Sequence, residues 1–175
     1  YGPYTGFVNS RMLKNIGANY VIIGHSENRE KGETDKLINL KIKSALKAKL
    51  KIIFCIGETL DEKRKKKTKL ILSRQIKIGL NKIKKKSNIF IAYEPIWAIG
   101  SGKIPTIDSI NEMLNMIRQW LLNNGIRNNT KILYGGSVNK GNTKELFSCK
   151  NLGGLLIGGV SLKAEEFSEI CLMAG

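Results

Sequence analysis

The 175 residues predict an α/β fold built on a parallel sheet, and three observations predict it. Short runs rich in Ile, Val, Leu and aromatics recur along the chain, most of them end in glycine, and amphipathic helical patterns fill the intervals. Continuous apolar runs of this length suit strands covered on both faces, as parallel sheets require. The alternation runs through one unit with no linker or low-complexity boundary, so residues 1–175 read as a single domain.

Each element follows in order. Tyr20–Ile23 is the first strand and ends at Gly24. Ile38, Ile42, Ala45 and Leu46 then share one helical face. Lys51–Ile56, closed by Gly57, is the second strand. The next stretch reads as one Lys-rich helix. Asp61 and Glu62 sit in its first turn, where the helix dipole favours negative charge. Leu72, Ile76, Leu80 and Ile83 line its inner face, and Lys65, Lys66, Lys67 and Lys69 point away. Ile89–Tyr93 is the third strand, and Ile110, Met113, Leu114, Ile117 and Leu121 form the following apolar face. Lys131–Tyr134 and Gly154–Ile157 complete the strands, each closed by a Gly-Gly pair, and Ala164–Met173 is a last short helix. Five strand–helix pairs fit either an open doubly wound sheet or part of a (β/α)8 barrel. Both architectures seat ligands at the strand C-terminal ends.

Composition narrows the classes of function. The chain carries 30 Lys+Arg against 14 Asp+Glu, a balance that would suit nucleic acid or an anionic membrane. Yet 24 of those 30 are Lys on segments that read as helix exteriors, and no aromatic interrupts the run from Lys63 to Lys69. A solvated basic face is the expectation, with no nucleic acid and no membrane as partner. No apolar run is long enough to span a bilayer. Cys55, Cys149 and Cys171 are too scattered for a zinc site or a disulfide framework, and a reduced, cytoplasmic location is expected.

The strand ends carry the chemistry. Gly24-His25-Ser26-Glu27 holds the only histidine, and Ala92-Tyr93-Glu94-Pro95 leads into Ile96-Trp97-Ala98-Ile99-Gly100-Ser101-Gly102-Lys103. Tyr134-Gly135-Gly136-Ser137 and Gly158-Gly159-Val160-Ser161 offer backbone N–H groups to an anion. Any one of these features alone reads as an ordinary turn. Together, an acid, an imidazole and two anion seats at one mouth suggest proton transfer on a small phosphorylated substrate.

These segments resemble the triosephosphate isomerase family. Ala92–Lys103 is similar to its signature and lid loop. Ile23–Glu27, Tyr134–Val138, Gly158–Lys163, Tyr4-Thr5-Gly6 and Cys55–Leu60 match it in order and approximate spacing. The resemblance implies a (β/α)8 TIM barrel, here a partial barrel with strands 4–8 and the tail of unit 3. It implies Glu94 as the general base and His25 as a neutral imidazole polarising the carbonyl. A helix N-terminus near Ser26 would be the source of positive potential for that imidazole. Gly100, Ser137, Gly158 and Gly159 would hold the phosphate. Glu27 would act as a supporting carboxylate, and Ile99 and Leu156 would clamp Glu94 under a lid of residues 95–103. Thr5 would reach a partner subunit's site in a homodimer. No metal or organic cofactor is expected. Another phosphate-binding barrel enzyme, or a non-catalytic Lys-rich binding protein on the same scaffold, is the alternative.

Departures from the family are local or upstream. Three N-terminal strands, with the Asn and Lys that close the first of them, are expected outside these residues. The isolated chain is therefore expected to be unstable and inactive. Phe7 and Asn28 stand where the family usually has Glu and Arg, an acid–base pair across the dimer. Pro105 stands where the family has a residue whose N–H bonds the Tyr134 hydroxyl when the lid closes. Proline has no N–H, so closure is expected to be weaker by about 0.5–1.5 kcal/mol.

Overall fold

The computed structural model describes residues 2–84, 88–100, 102 and 104–174. Ser101 and Lys103 of the expected lid lie outside the described residues. One parallel sheet runs β1 (Tyr20–Ile23), β2 (Lys51–Ile56), β3 (Ile89–Tyr93), β4 (Ile132–Tyr134) and β5 (Leu152–Leu155), with neighbours in chain order. That order decides between the two architectures left open by strand counting. A doubly wound sheet reverses direction at a switch point. This sheet never reverses, so it is an arc of a (β/α)8 barrel.

Register brings the strand ends level. Ile56 pairs with Tyr93, Tyr93 with Tyr134, and Tyr134 with Leu155. The residues that follow therefore share one rim, and backbone bonds hold them there. Glu94 N–H donates to Ile56 O at 2.8 Å, Gly135 N–H to Tyr93 O at 2.9 Å, and Leu156 N–H to Tyr134 O at 2.8 Å.

The helices are α1 (Ser10–Asn15), α2 (Ser26–Glu30), α3 (Asp35–Lys47), α4 (Leu60–Arg64), α5 (Thr68–Gly79), α6 (Ile107–Asn123), α7 (Thr143–Phe147) and α8 (Ala164–Met173). Ile38 and Ile42 of α3, Leu72 and Ile76 of α5, and Ile110, Leu114 and Ile117 of α6 join Phe54, Ile91 and Ile132 in one core. Burying each such side chain is worth about 1.5–3 kcal/mol. Asn39 of α3 is buried and donates to Gly79 O at 2.8 Å and Asn81 O at 3.0 Å, capping α5 from its neighbour.

Two expectations need correcting. The Lys-rich segment is not one helix but two, α4 and α5, broken at Lys66, whose φ is 55°. Helix α4 starts in a capping box between Thr59 and Glu62 and buries nothing, whereas α5 buries Ile71, Leu72 and Ile76. The break lets α5 aim its apolar face at the sheet independently of the cap that starts α4. The last strand begins at Leu152, not Gly154, and ends at Leu155. Ile132 pairs with Leu152 but Leu133 with Gly154, so Gly153 is the extra residue of a bulge. Gly154 follows it at φ 147°, which a side chain would resist.

Both edges of the sheet are open. Tyr20 and Ile22 of β1 are 47% and 49% exposed. A cavity of about 330 Å3 flanks β1, and another of about 520 Å3 lies between β5 and α8. Among the described residues, no helix is long and apolar enough to cross a membrane.

Candidate active site

His25 is placed by the turn that leaves β1. It is the N-cap of α2, so the expected helix start at Ser26 is found. Its Nδ1 accepts the N–H of Glu27 at 3.3 Å. In that contact Nδ1 is the acceptor, which leaves Nε2 as the ring nitrogen free to donate. Nε2 in turn lies 3.4 Å from Glu94 Oε1. The two side chains, from β1 and β3, meet over the end of β2 that separates their strands.

Glu94 is only 3% exposed. Burial pushes its carboxyl above the ordinary value, against the His25 imidazole, the Cys55 thiol, the Ser26 N–H and the Arg29 guanidinium, all of which favour the anion. Cys55 donates its thiol hydrogen to the same carboxylate. It stays a donor because burial, and then the charge of Glu94, push its own ionisation far upward. Two glycines make the seat. A Cβ on Gly135 would stand 2.8 Å from Glu94 Cγ, and one on Gly57 would collide with the Glu94 carbonyl. Glu94 is thus walled on two sides by glycine backbone.

A second acid, Glu58, lies just after β2. It is fully buried, accepts Trp97 Nε1–H at 2.8 Å and lies 3.4 Å from the Tyr93 hydroxyl, which donates to it. Lys63 caps the other side of Trp97, its Nζ 3.1 Å from the ring centroid. Burial pushes the Glu58 carboxyl up, and the Trp97 and Tyr93 bonds oppose that rise. Glu58 thus anchors the 3-10 turn Ile96–Ala98 at the start of the expected lid. Sequence reasoning placed Glu58 inside a matching segment without giving it a role. Its position one residue past the glycine that closes β2 was the available signal.

The remaining expected residues separate into two groups. Gly100, Gly158 and Gly159 are exposed on the rim, and a Cβ on any of them would meet nothing within 4 Å. Ser137 donates its hydroxyl to Ala98 O at 2.5 Å, tying the β4 turn to the lid turn. Leu156 is half-buried beside Gly135 on the side shared with Glu94. Ile99, by contrast, is 36% exposed. Glu27 contributes its backbone, while its carboxylate faces solvent. Tyr134 is fully buried with its ring edge-on to Tyr93, and among the described residues its hydroxyl has no hydrogen-bond partner. Thr5, Phe7 and Asn28 are exposed.

Comparison with known proteins gives the family. The family model described as triosephosphate isomerase matches residues 1–174. The triosephosphate isomerase of Geotalea uraniireducens (strain Rf4) is 48% identical over 175 residues, covering 97% of this chain and 70% of the relative. That of Carboxydothermus hydrogenoformans is 46% identical over 175 residues, covering 97% and 70%. That of Chlorobium luteolum is 44% identical over 173 residues, covering 97% and 69%. With a sequential parallel arc, a histidine 3.4 Å from a buried carboxylate, a family model matched over residues 1–174 and relatives at this identity, the chain belongs to the triosephosphate isomerase family.

Proposed function

We propose that this chain interconverts dihydroxyacetone phosphate and D-glyceraldehyde 3-phosphate, with His25 and Glu94 as the catalytic pair. The observation that carries the reading is the approach of His25 Nε2 to within 3.4 Å of the enclosed Glu94 carboxylate, with Nδ1 occupied by the Glu27 N–H. Glu94 takes a proton from the carbon beside the carbonyl, the electrons move onto the carbonyl oxygen, and an enediolate forms. His25 donates from Nε2 to that oxygen and moves a proton between the two oxygens. Glu94 then returns its proton to the neighbouring carbon. Keeping a polarising imidazole neutral is a strategy for which this family is itself a standard example.

Backbone N–H groups of Gly100, Ser137, Gly158 and Gly159 hold the phosphate, and the open space over the glycines supports that role. A lid of residues 95–103 closes over the substrate, bringing Ile99 and Leu156 against Glu94. The substrate carbonyl is the electron sink, so the scheme needs no cofactor. The same reading makes the protein a cytoplasmic homodimer with neither nucleic acid nor membrane as partner. The exposed Tyr4, Phe7 and Val8 flanking Thr5 support a subunit contact there.

The test is an isomerase assay on the polypeptide made from its complete gene. Replacing Glu94 by Gln or His25 by Gln should each lower kcat by about 10²–10⁴. The base works ionised, and burial raises its carboxyl from 4.5, so the acid limb of kcat/KM should lie above that value. A folded wild type without turnover would overturn the reading.

A further inference from the structure

We propose that Arg29 is a positioning residue for the isomerisation, its guanidinium binding the strand end that carries His25 to the strand end that braces Glu94. The ladder between β1 and β2 ends at the Ile23–Phe54 pair. Past that pair the chain turns away into α2, and the guanidinium takes over. Arg29 Nε donates to Gly24 O at 2.7 Å, the carbonyl immediately before His25. Its Nη2 donates to Cys55 O at 3.1 Å, and Cys55 is the residue whose thiol bonds Glu94. One planar group therefore sets the spacing of both halves of the pair.

The fork is itself held. Arg29 Nη1 donates to Asp35 Oδ1 at 2.7 Å, and the other Asp35 oxygen accepts from Arg74 Nε at 3.2 Å. The Arg29 and Asp35 side chains are 14% and 11% exposed, so the pair is largely shielded from solvent. Gly24 leaves the space the fork needs. Its φ is +78°, and a Cβ there would sit 3.2 Å from Arg29 Nη2 and 3.1 Å from Cys55 O. A lysine could neutralise charge at this place but could not span two carbonyls and a carboxylate in one plane. In a chain with 24 Lys among its 30 basic residues, this is a place where only arginine geometry works.

The inference rests on the isomerase reading and predicts a division between two variants of the polypeptide made from its complete gene. Arg29→Lys keeps the charge and loses the fork. It should lower kcat roughly 10- to 100-fold through misplacement, leave KM within about twofold because Arg29 bonds none of the proposed phosphate seats Gly100, Ser137, Gly158 and Gly159, and leave the acid limb in place. Arg29→Met loses both. The groups acting on Glu94 are His25, Cys55, Ser26 N–H and Arg29, and Arg29 favours the anion, so its loss should also move the acid limb to higher pH. If Arg29→Met does not fold, Arg29→Lys and Asp35→Asn, checked by circular dichroism, carry the test. Folded variants that melt earlier yet keep wild-type kcat and pH profile would reduce Arg29 to a stabilising residue and overturn the inference. An inactive wild type would instead overturn the isomerase reading, and this inference with it.

Discussion

The rim at the ends of β1 to β3 and the rim at the ends of β4 and β5 are built on opposite principles. On the first, the proposed catalytic pair is packed in: Glu94 is buried, His25 is held at both ring nitrogens, and Cys55, Ser26 N–H and Arg29 act on the carboxylate. On the second, Gly158 and Gly159 are exposed and look onto open space. The difference fits the two tasks proposed for them. A carboxylate gains basicity only where water is kept away, whereas a phosphate must be able to arrive and leave. Turnover should therefore respond to packing on one side and affinity to access on the other.

The sharpest way to break that division is Gly135→Ala, which sits at the seam. Its Cβ would press on Glu94 Cγ at 2.8 Å and on Oε1 at 3.3 Å, so the carboxylate has to move. We expect kcat to fall about 100-fold with KM little changed, and steady-state kinetics over a range of substrate concentrations will show it. Equal changes in kcat and KM would blur the two sides into one site. Gly159→Ala tests the open side. The backbone there does not need a positive φ and the added methyl meets no protein atom, so folding should be unaffected. An obstructed hydrogen bond to a charged phosphate should instead raise KM about tenfold. Inhibition by inorganic phosphate, measured beside KM, should weaken in parallel.

Lys66→Gly should touch neither side. Lys66 holds the chain break between α4 and α5 in a left-handed conformation that costs an ordinary residue about 1 kcal/mol, and glycine removes that cost. Denaturant unfolding should report a gain of that order with unchanged kinetics. A loss of stability would mean that the Lys66 side chain makes contacts that outweigh its backbone conformation.

Elements with a continuous apolar face were legible in advance. The faces of α3 and α6 were readable because burial against a sheet demands a 3.6-residue period, and Ile38, Ile42, Ile110 and Ile117 are indeed fully buried. The split of the Lys-rich helix was not legible, because lysine gives no sign of a left-handed turn. Nor was the start of β5, since the bulge at Gly153 depends on how β4 lies beside it. Of the site, His25 and Glu94 stood out by chemical type and by their place after a strand. Arg29 and Glu58 did not, because what distinguishes each is the partners that reach it from other strands.

The order of strands and helices, the placing of glycines at strand ends, and the identities of the imidazole and the carboxylate were local properties, decided by periodicity and residue chemistry. The meeting of His25 with Glu94 across β2, the burial of Glu94 and the clamp that Arg29 sets between the ends of β1 and β2 belong to the tertiary structure alone. They depend on distances between residues far apart in the chain, and the register of the parallel strands sets those distances.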